Sequence, residues 1–224
     1  MKQFLIRFAN FLTGQILYGI GIVTSIRANI GYAPWEVFHA GIAKTVGSTI
    51  GIVSIFAGII ILITVTVAGE KIGFGTVLSM VLMGLLIDGL MYLNIIPLAK
   101  NYLVGVIMLI AGLFIISLGS YFYIKSAFGV GPRDNLMVVI RRKTRLPVGV
   151  CRVAVELIVT LIGWALGGMV GLGTIISVIA IGFCIQITFR VFRFDPTTVK
   201  HDTFAATIRF LARKEKYQDE DNDA

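Results

Sequence analysis

Charge is scarce in this chain. Only 14% of its 224 residues are Asp, Glu, Lys or Arg, against about 25% in an ordinary soluble domain. Cysteine is scarcer, with two residues, and proline contributes five. Two cysteines exclude a disulfide scaffold. No Cys-x-x-Cys or His-x-x-x-His spacing occurs, so neither a metal nor a cofactor is expected. A Gly-x-x-x-x-Gly-Lys-Ser/Thr loop and a Gly-x-Ser-x-Gly elbow are also missing. The chain therefore carries no P-loop and no hydrolase nucleophile signature, and it is expected not to be an enzyme. What it has in abundance is apolar: 57% hydrophobic residues, 25 glycines and a mean hydropathy of +0.90. Few charges with long apolar runs exclude disorder and predict an all-α polytopic membrane protein.

A spanning helix needs about 20 apolar residues to cross about 30 Å of hydrocarbon. Six runs qualify: Leu5–Ile26, Ile50–Ala68, Ile72–Ile95, Tyr102–Ile124, Val148–Leu166 and Val170–Phe189. They are continuous rather than alternating, which argues for helices over a barrel. The first lacks a small-x-small cleavage site and reads as a retained helix.

Lysine and arginine set the orientation. With the N-terminus inside, sixteen of the twenty fall on the cytoplasmic side and only Arg27, Lys44 and Lys100 outside, Arg152 lying within a helix. Both termini are thus expected in the cytoplasm. The net charge of +8 reads as this topology signal and as attraction to an anionic leaflet, with no nucleic-acid partner. Beyond the last run, residues 194–224 predict a cytoplasmic amphipathic helix, about Asp202–Tyr217, and an acidic tail.

The chain repeats itself. Shifted by 98 residues, positions 14–87 align with 112–185 without a gap, and 15 of 74 are identical. Eight of those are glycines, where the glycine content of the two windows gives about two by chance. Each copy carries three runs, an odd number, so the second must enter the membrane from the opposite face. The expected fold is six transmembrane helices in two inverted three-helix repeats, residues 1–100 and 101–193. Such repeats recur in secondary transporters.

Between the first and second runs of each copy lie about 22 residues, too many for a turn. In both, glycine breaks the incoming helix, and Pro34 or Pro132 suits the first position of a new one. Short extra helices are expected at about 34–44 and 132–143, either re-entrant or interfacial. Glu36 and Asp134 fall in their first turns. Free N–H groups and the helix dipole at such an end favour an anion, and Arg133 adds a bidentate donor.

The second copy also carries a resemblance. Gly129-Val-Gly-Pro-Arg-Asp-Asn-Leu, Arg141-Arg142-Lys143, Pro147-Val-Gly-Val-Cys-Arg152, Glu156 and Gly163-Trp-Ala-Leu-Gly-Gly resemble the YczE/YyaS/YitT group of small bacterial membrane proteins, over most of residues 5–193. The resemblance implies a bacterial cytoplasmic-membrane protein with a duplicated multi-helix build, and it supplies no substrate. In the first copy Trp35-Glu36 stands where the second has Arg133-Asp134, which confines any arginine-based role to one half.

Ionisable residues inside a membrane cost about 2.5–3.5 kcal/mol each on insertion scales, so each needs a partner or a task. Arg152 and Glu156 are four apart, on one helix face, and read either as a mutual ion pair or as a pair that also meets substrate. Asp88 and its repeat mate Gln186 are coupling candidates. Asn10 and Gln15 read as interhelical hydrogen bonders. The candidate substrate contacts are Arg133, Asp134, Asn135, Glu36, Arg152 and Glu156. The expected function is a small secondary transporter or permease for a polar metabolite, with Arg133 and the helix ends favouring an anion. The alternatives are a non-transporting accessory or regulatory protein, and the substrate-binding subunit of an ATP-driven importer. The expected partners are the lipid bilayer and a small-molecule substrate. Six short helices enclose little volume, which leaves room for a homodimer or a membrane partner protein.

Overall fold

The computed structural model describes residues 2–70, 73–129, 131–196 and 199. Among these residues there are eight α-helices and no strand: α1 (Lys2–Arg27), α2 (Pro34–Val46), α3 (Ile50–Val67), α4 (Phe74–Leu93), α5 (Tyr102–Ser126), α6 (Pro132–Thr144), α7 (Val148–Ala165) and α8 (Leu172–Val191). The amphipathic helix expected near Asp202–Tyr217 lies outside the described residues.

Five helices are long and apolar enough to cross a membrane: Phe4–Arg27 within α1, and α3, α4, α5 and α8. The remaining run expected to span forms α7, which carries Arg152 and Glu156 and is not among these five. Large apolar side chains such as Phe56, Leu103, Leu157, Ile179 and Phe183 point outward, with more than half of their surface uncovered by protein. In water such a surface would drive aggregation; against lipid tails it costs nothing. The described residues are those of an all-helical membrane protein.

Prolines and glycines place the two short helices. Gly31 and Gly129 hold φ of 117° and 147°, angles that side-chain-bearing residues rarely adopt. They end the paths of α1 and α5. Pro34 and Pro132 then open α2 and α6 at the first position, where a missing N–H leaves no bond unmade.

The same backbone is used twice. Within 14–87 and 112–185, every described residue of positive φ has its counterpart 98 positions away: Asn29 and Ala127, Gly31 and Gly129, Gly47 and Arg145, Gly69 and Gly167. The halves also reach into each other in matched fashion. The Gly75 N–H donates to the Phe128 carbonyl at 2.9 Å, and 98 residues on the Gly173 N–H donates to the Ile30 carbonyl at 2.8 Å. Helix α2 packs on α7, and its counterpart α6 packs on α3.

The centre of the bundle is the antiparallel crossing of α1 and α5. Gly14 faces Gly119, and Gly21 faces Gly112. A Cβ on Gly21 would lie 2.7 Å from the Gly112 oxygen and from the Ile116 nitrogen. The two backbones therefore touch with no side chain between them, the usual means of helix association where no hydrophobic force operates. Ile22, Val23, Ile26, Leu109 and Leu113 bury themselves along this seam, and Phe11, Tyr123 and Phe128 form an aromatic cluster towards the N-terminal end of α1.

The halves differ most in one packing relation. Helix α3 lies along α4, whereas α7 and α8 make little or no contact among the described residues. Gly51 against Gly84 and Gly58 against Met80 bring α3 and α4 together, and Asp88 adds a polar clasp. Its Oδ1 accepts the Gly51 N–H at 2.8 Å, and its Oδ2 accepts the Ile52 N–H at 3.2 Å and the Thr49 hydroxyl. A carboxylate from α4 thus caps the N-terminus of α3, where free donors and the helix dipole favour negative charge.

Candidate functional site

A cavity of about 420 Å³ opens between the halves, and all eight helices contribute to its wall. That volume falls within the range of about 300–1,000 Å³ typical of small-molecule sites. Much of the lining is apolar, with Tyr18, Ile61, Met80, Met83 and Ile185 among it. Against this background stand Gln15, His39, Arg133, Arg152 and Glu156, with the hydroxyls of Ser54, Ser79 and Ser120. Ile124 from the end of α5, Phe189 from the end of α8 and Pro196 beyond it also line the cavity. It therefore reaches towards the end of the bundle where α1 begins.

Arg133 is the junction of the site. It stands in the first turn of α6, and its guanidinium carbon lies 4.7 Å from the centre of the Trp35 ring, in the first turn of α2. Its Nη1 is 3.6 Å from Glu36 Oε1. The buried ends of the two short helices are thus bridged by one side chain. Trp35 and Arg133 are themselves counterparts 98 residues apart. Glu36 is 6% exposed, while the Arg133 side chain keeps a third of its surface open. Burial disfavours the charged form of Glu36, and the guanidinium beside it favours that form. The carboxyl of Glu156 lies within electrostatic reach of Glu36 and opposes a second negative charge.

On α7, Arg152 Nε donates to Glu156 Oε1 at 2.9 Å. The i,i+4 spacing that suggested a shared face makes the ion pair itself, and the pair lets both residues sit on a largely apolar helix. Half of the Arg152 side chain remains open, against 13% of Glu156.

Arg133, Glu36, Arg152 and Glu156 are therefore gathered at one place, three on the wall and Glu36 just behind it. Asn135 is buried in the first turn of α6. The side chain of Asp134 lies outside the described ones. Asp88 and Gln186 are not on the wall. Asp88 is occupied in capping α3, and Gln186 is exposed on α8. Three or more His, Cys, Asp or Glu side chains placed to hold a metal do not occur among the described residues.

Sequence reasoning missed two members. His39, buried against Trp35 and Phe38, has no motif around it. Gln15 was expected to bond another helix, yet its Oε1 is buried without a partner. The available signal was an amide side chain in a largely apolar stretch of α1.

A family of unknown function, DUF6198, matches residues 5–190. The chain belongs to this family. The relatives of this chain include the uncharacterized membrane protein YczE of Bacillus subtilis (strain 168), 33% identical over 96% of this chain and 97% of its own length. A second is an uncharacterized protein of Haemophilus influenzae, 29% identical over 78% of this chain and 79% of its own. A third is the uncharacterized protein YyaS of Bacillus subtilis, 24% identical over 78% and 88%. The resemblance read from the second repeat is thus borne out for YczE and YyaS. No solved structure matches.

Proposed function

We propose that this chain is a small permease of six spans, built as two inverted repeats, and that the cavity between the halves holds a polar solute on its way across a bacterial cytoplasmic membrane. The observation that carries the proposal is the polar cluster of Arg133, Arg152 and Glu156 on the wall of a cavity shared by all eight helices. Partly exposed ion pairs add little to stability. Two of them beside a cavity are better explained by a solute that meets them.

Inversion is supported by the antiparallel crossing of α1 and α5 and by the matched positive-φ positions. A pseudo-two-fold axis relating the halves would run through that crossing and past Trp35 and Arg133. Alternating access in such folds comes from the halves exchanging conformations around a fixed site. The packed α3–α4 pair and the separated α7–α8 pair support two such conformations, one held in each half. The lysine and arginine distribution favours both termini in the cytoplasm, so the cavity would face inward here. The reading involves binding and passage, without covalent chemistry.

Proteoliposomes loaded with a defined mixture of isotope-labelled amino acids, carboxylates and sugar phosphates test it, with mass spectrometry of what leaves. At least one solute should escape faster than from protein-free vesicles. Its rate should fall by about tenfold or more in Arg133→Ala, given a charge-assisted contact of at least about 1.4 kcal/mol, and should survive deletion of residues 200–224. Uniform retention of every solute would sink the permease reading in favour of an accessory role, in which the exposed basic end of α6, Arg141 to Arg145, would be the working surface.

A further inference from the structure

The polar cavity adjoins an apolar groove. The groove, of about 470 Å³, runs between α2 and α3. Phe38, Ile42 and Val46 recur every four residues and so share one face of α2, and Ile52, Phe56 and Ile60 do the same on α3. Phe56 and Ile60 keep more than half of their surface uncovered by protein, so the groove opens to lipid. Along α3 it extends from Ile52 to Ile61, about 14 Å at the helical rise. That is about half of the roughly 30 Å of hydrocarbon, the depth that one leaflet's chains occupy.

Groove and cavity meet. Trp35, Ala57 and Ile61 line both, and Ala57 places only a methyl at the join. From the cavity, Arg133 stacks on the Trp35 ring. In the two ion pairs the open surface is mainly guanidinium. A third of the Arg133 side chain and half of that of Arg152 are open, against 8% of Glu36 and 13% of Glu156. Guanidinium groups donate and do not accept, so the group they suit is an oxyanion.

We infer that the solute is a single-chain amphiphile, an alkyl or acyl chain ending in a carboxylate or phosphate, with its head at Arg133 and its chain passing Trp35 and Ala57 into the groove. The inference rests on the solute-binding reading of the cavity and names the solute's chemical class. A water-soluble solute has no use for a groove open to lipid, and a bilayer chain resting in that groove has none for arginines. An amphiphile uses both, and its chain stays in hydrocarbon while its head lies in the cavity. Moving a chain from bilayer to groove gains little, because lipid tails are as apolar as the groove. Selection therefore falls to the head.

The test uses the full chain in phosphatidylcholine nanodiscs. The protein has two tryptophans, so Trp164→Phe leaves Trp35 as the reporter. The probes are a fatty acid, an alkyl phosphate and an alkanol, each brominated along the same chain, since bromine quenches indole fluorescence only at short range. At equal content in the disc, the acid or the phosphate should quench Trp35 saturably and beyond the alkanol. An unbrominated copy of that probe should reverse the excess. In Arg133→Ala, with intensities taken relative to that variant without probe, about tenfold more probe or more should be needed for half of the excess. Ala57→Phe, which narrows the join, should also shrink the excess while the alkanol's quenching persists. Equal quenching by all three probes makes the groove an ordinary lipid contact and overturns the inference. So does the absence of quenching by any probe, or an excess unchanged in both variants. The permease reading survives those results if a water-soluble solute leaves proteoliposomes. An alkyl phosphate that quenches Trp35 as expected yet never changes leaflet in proteoliposomes, read by external phosphatase, overturns the permease reading and keeps this one.

Discussion

The two halves share a backbone plan and differ in how tightly they close. In the first, α3 lies against α4 with Asp88 holding the α3 N-terminus. In the second, α7 stands apart from α8, the counterpart of Asp88 is Gln186, and Gln186 is exposed. The polar investment is distributed the opposite way. Arg133, Arg152 and Glu156 all belong to the second half, where the first has Trp35, Ser54 and Gly58. The half that stands open carries both arginines and Glu156, and the half that holds itself together contributes Glu36, His39 and Gln15. The two copies thus keep one backbone plan, with closure in one and most of the cavity's ions in the other.

The sharpest way to break this comparison is to ask whether the halves ever trade places. Ser79 lines the cavity and its counterpart Ser177 is buried away from it. In a variant lacking Cys151 and Cys184, Ser79→Cys should react with a water-soluble maleimide and Ser177→Cys should not, if the closure seen here is the sole state. If the halves alternate, Ser177→Cys should gain reactivity from the opposite face of an oriented vesicle. Labelling of each variant from each side, read by mass shift, decides between them.

A smaller effect is expected at the clasp. Asp88→Ala leaves the Gly51 N–H without its acceptor and the Ile52 N–H with only the Thr49 hydroxyl, at a cost of about 1–3 kcal/mol. Gln186→Ala removes an exposed side chain and should fall within about 0.5 kcal/mol of wild type. Thermal unfolding in one detergent compares the pair, and equal losses would show that the asymmetry at these positions has no energetic content.

The smallest effect concerns a position where the second copy has drifted into strain. Arg145 ends α6 at φ 59°, where its counterpart Gly47 ends α2 at φ 67°. Arg145→Gly should stabilise by up to about 1 kcal/mol, since the left-handed conformation penalises a residue with a Cβ. A lower Tm in Arg145→Gly would indicate that its side chain contributes more than its backbone conformation costs.

Much of this architecture could be read before any coordinates. The apolar runs predict the long helices to within a few residues at most ends, because lipid forces each run to satisfy its own backbone. Gly31-x-x-Pro34 and Gly129-x-x-Pro132 place the two short helices at the residues where they begin. Arg152 and Glu156 could be paired from spacing alone. Gathering Arg133 with Glu36 could not, since they lie 97 residues apart and meet only through helix packing. Asp88 was legible as a polar residue in an apolar helix, but not as a cap. Capping is a relation between two helices, and its donors are backbone groups that leave no mark on the sequence. Gln15 was opaque for a related reason, because an amide with an interhelical partner and one without look the same in a string.

The contact between Trp35 and Arg133 bears on why the two copies share one polypeptide. Residues that touch their own counterparts sit where the two copies meet themselves. An assembly of two identical half-length chains would have to place tryptophan on tryptophan there, or arginine on arginine, because its partners are the same at every position. The second arrangement sets like charges against each other in a buried place. Fusing the copies into one gene removes that constraint. Each self-meeting position becomes two independent codons, and a cation can then be set on a ring.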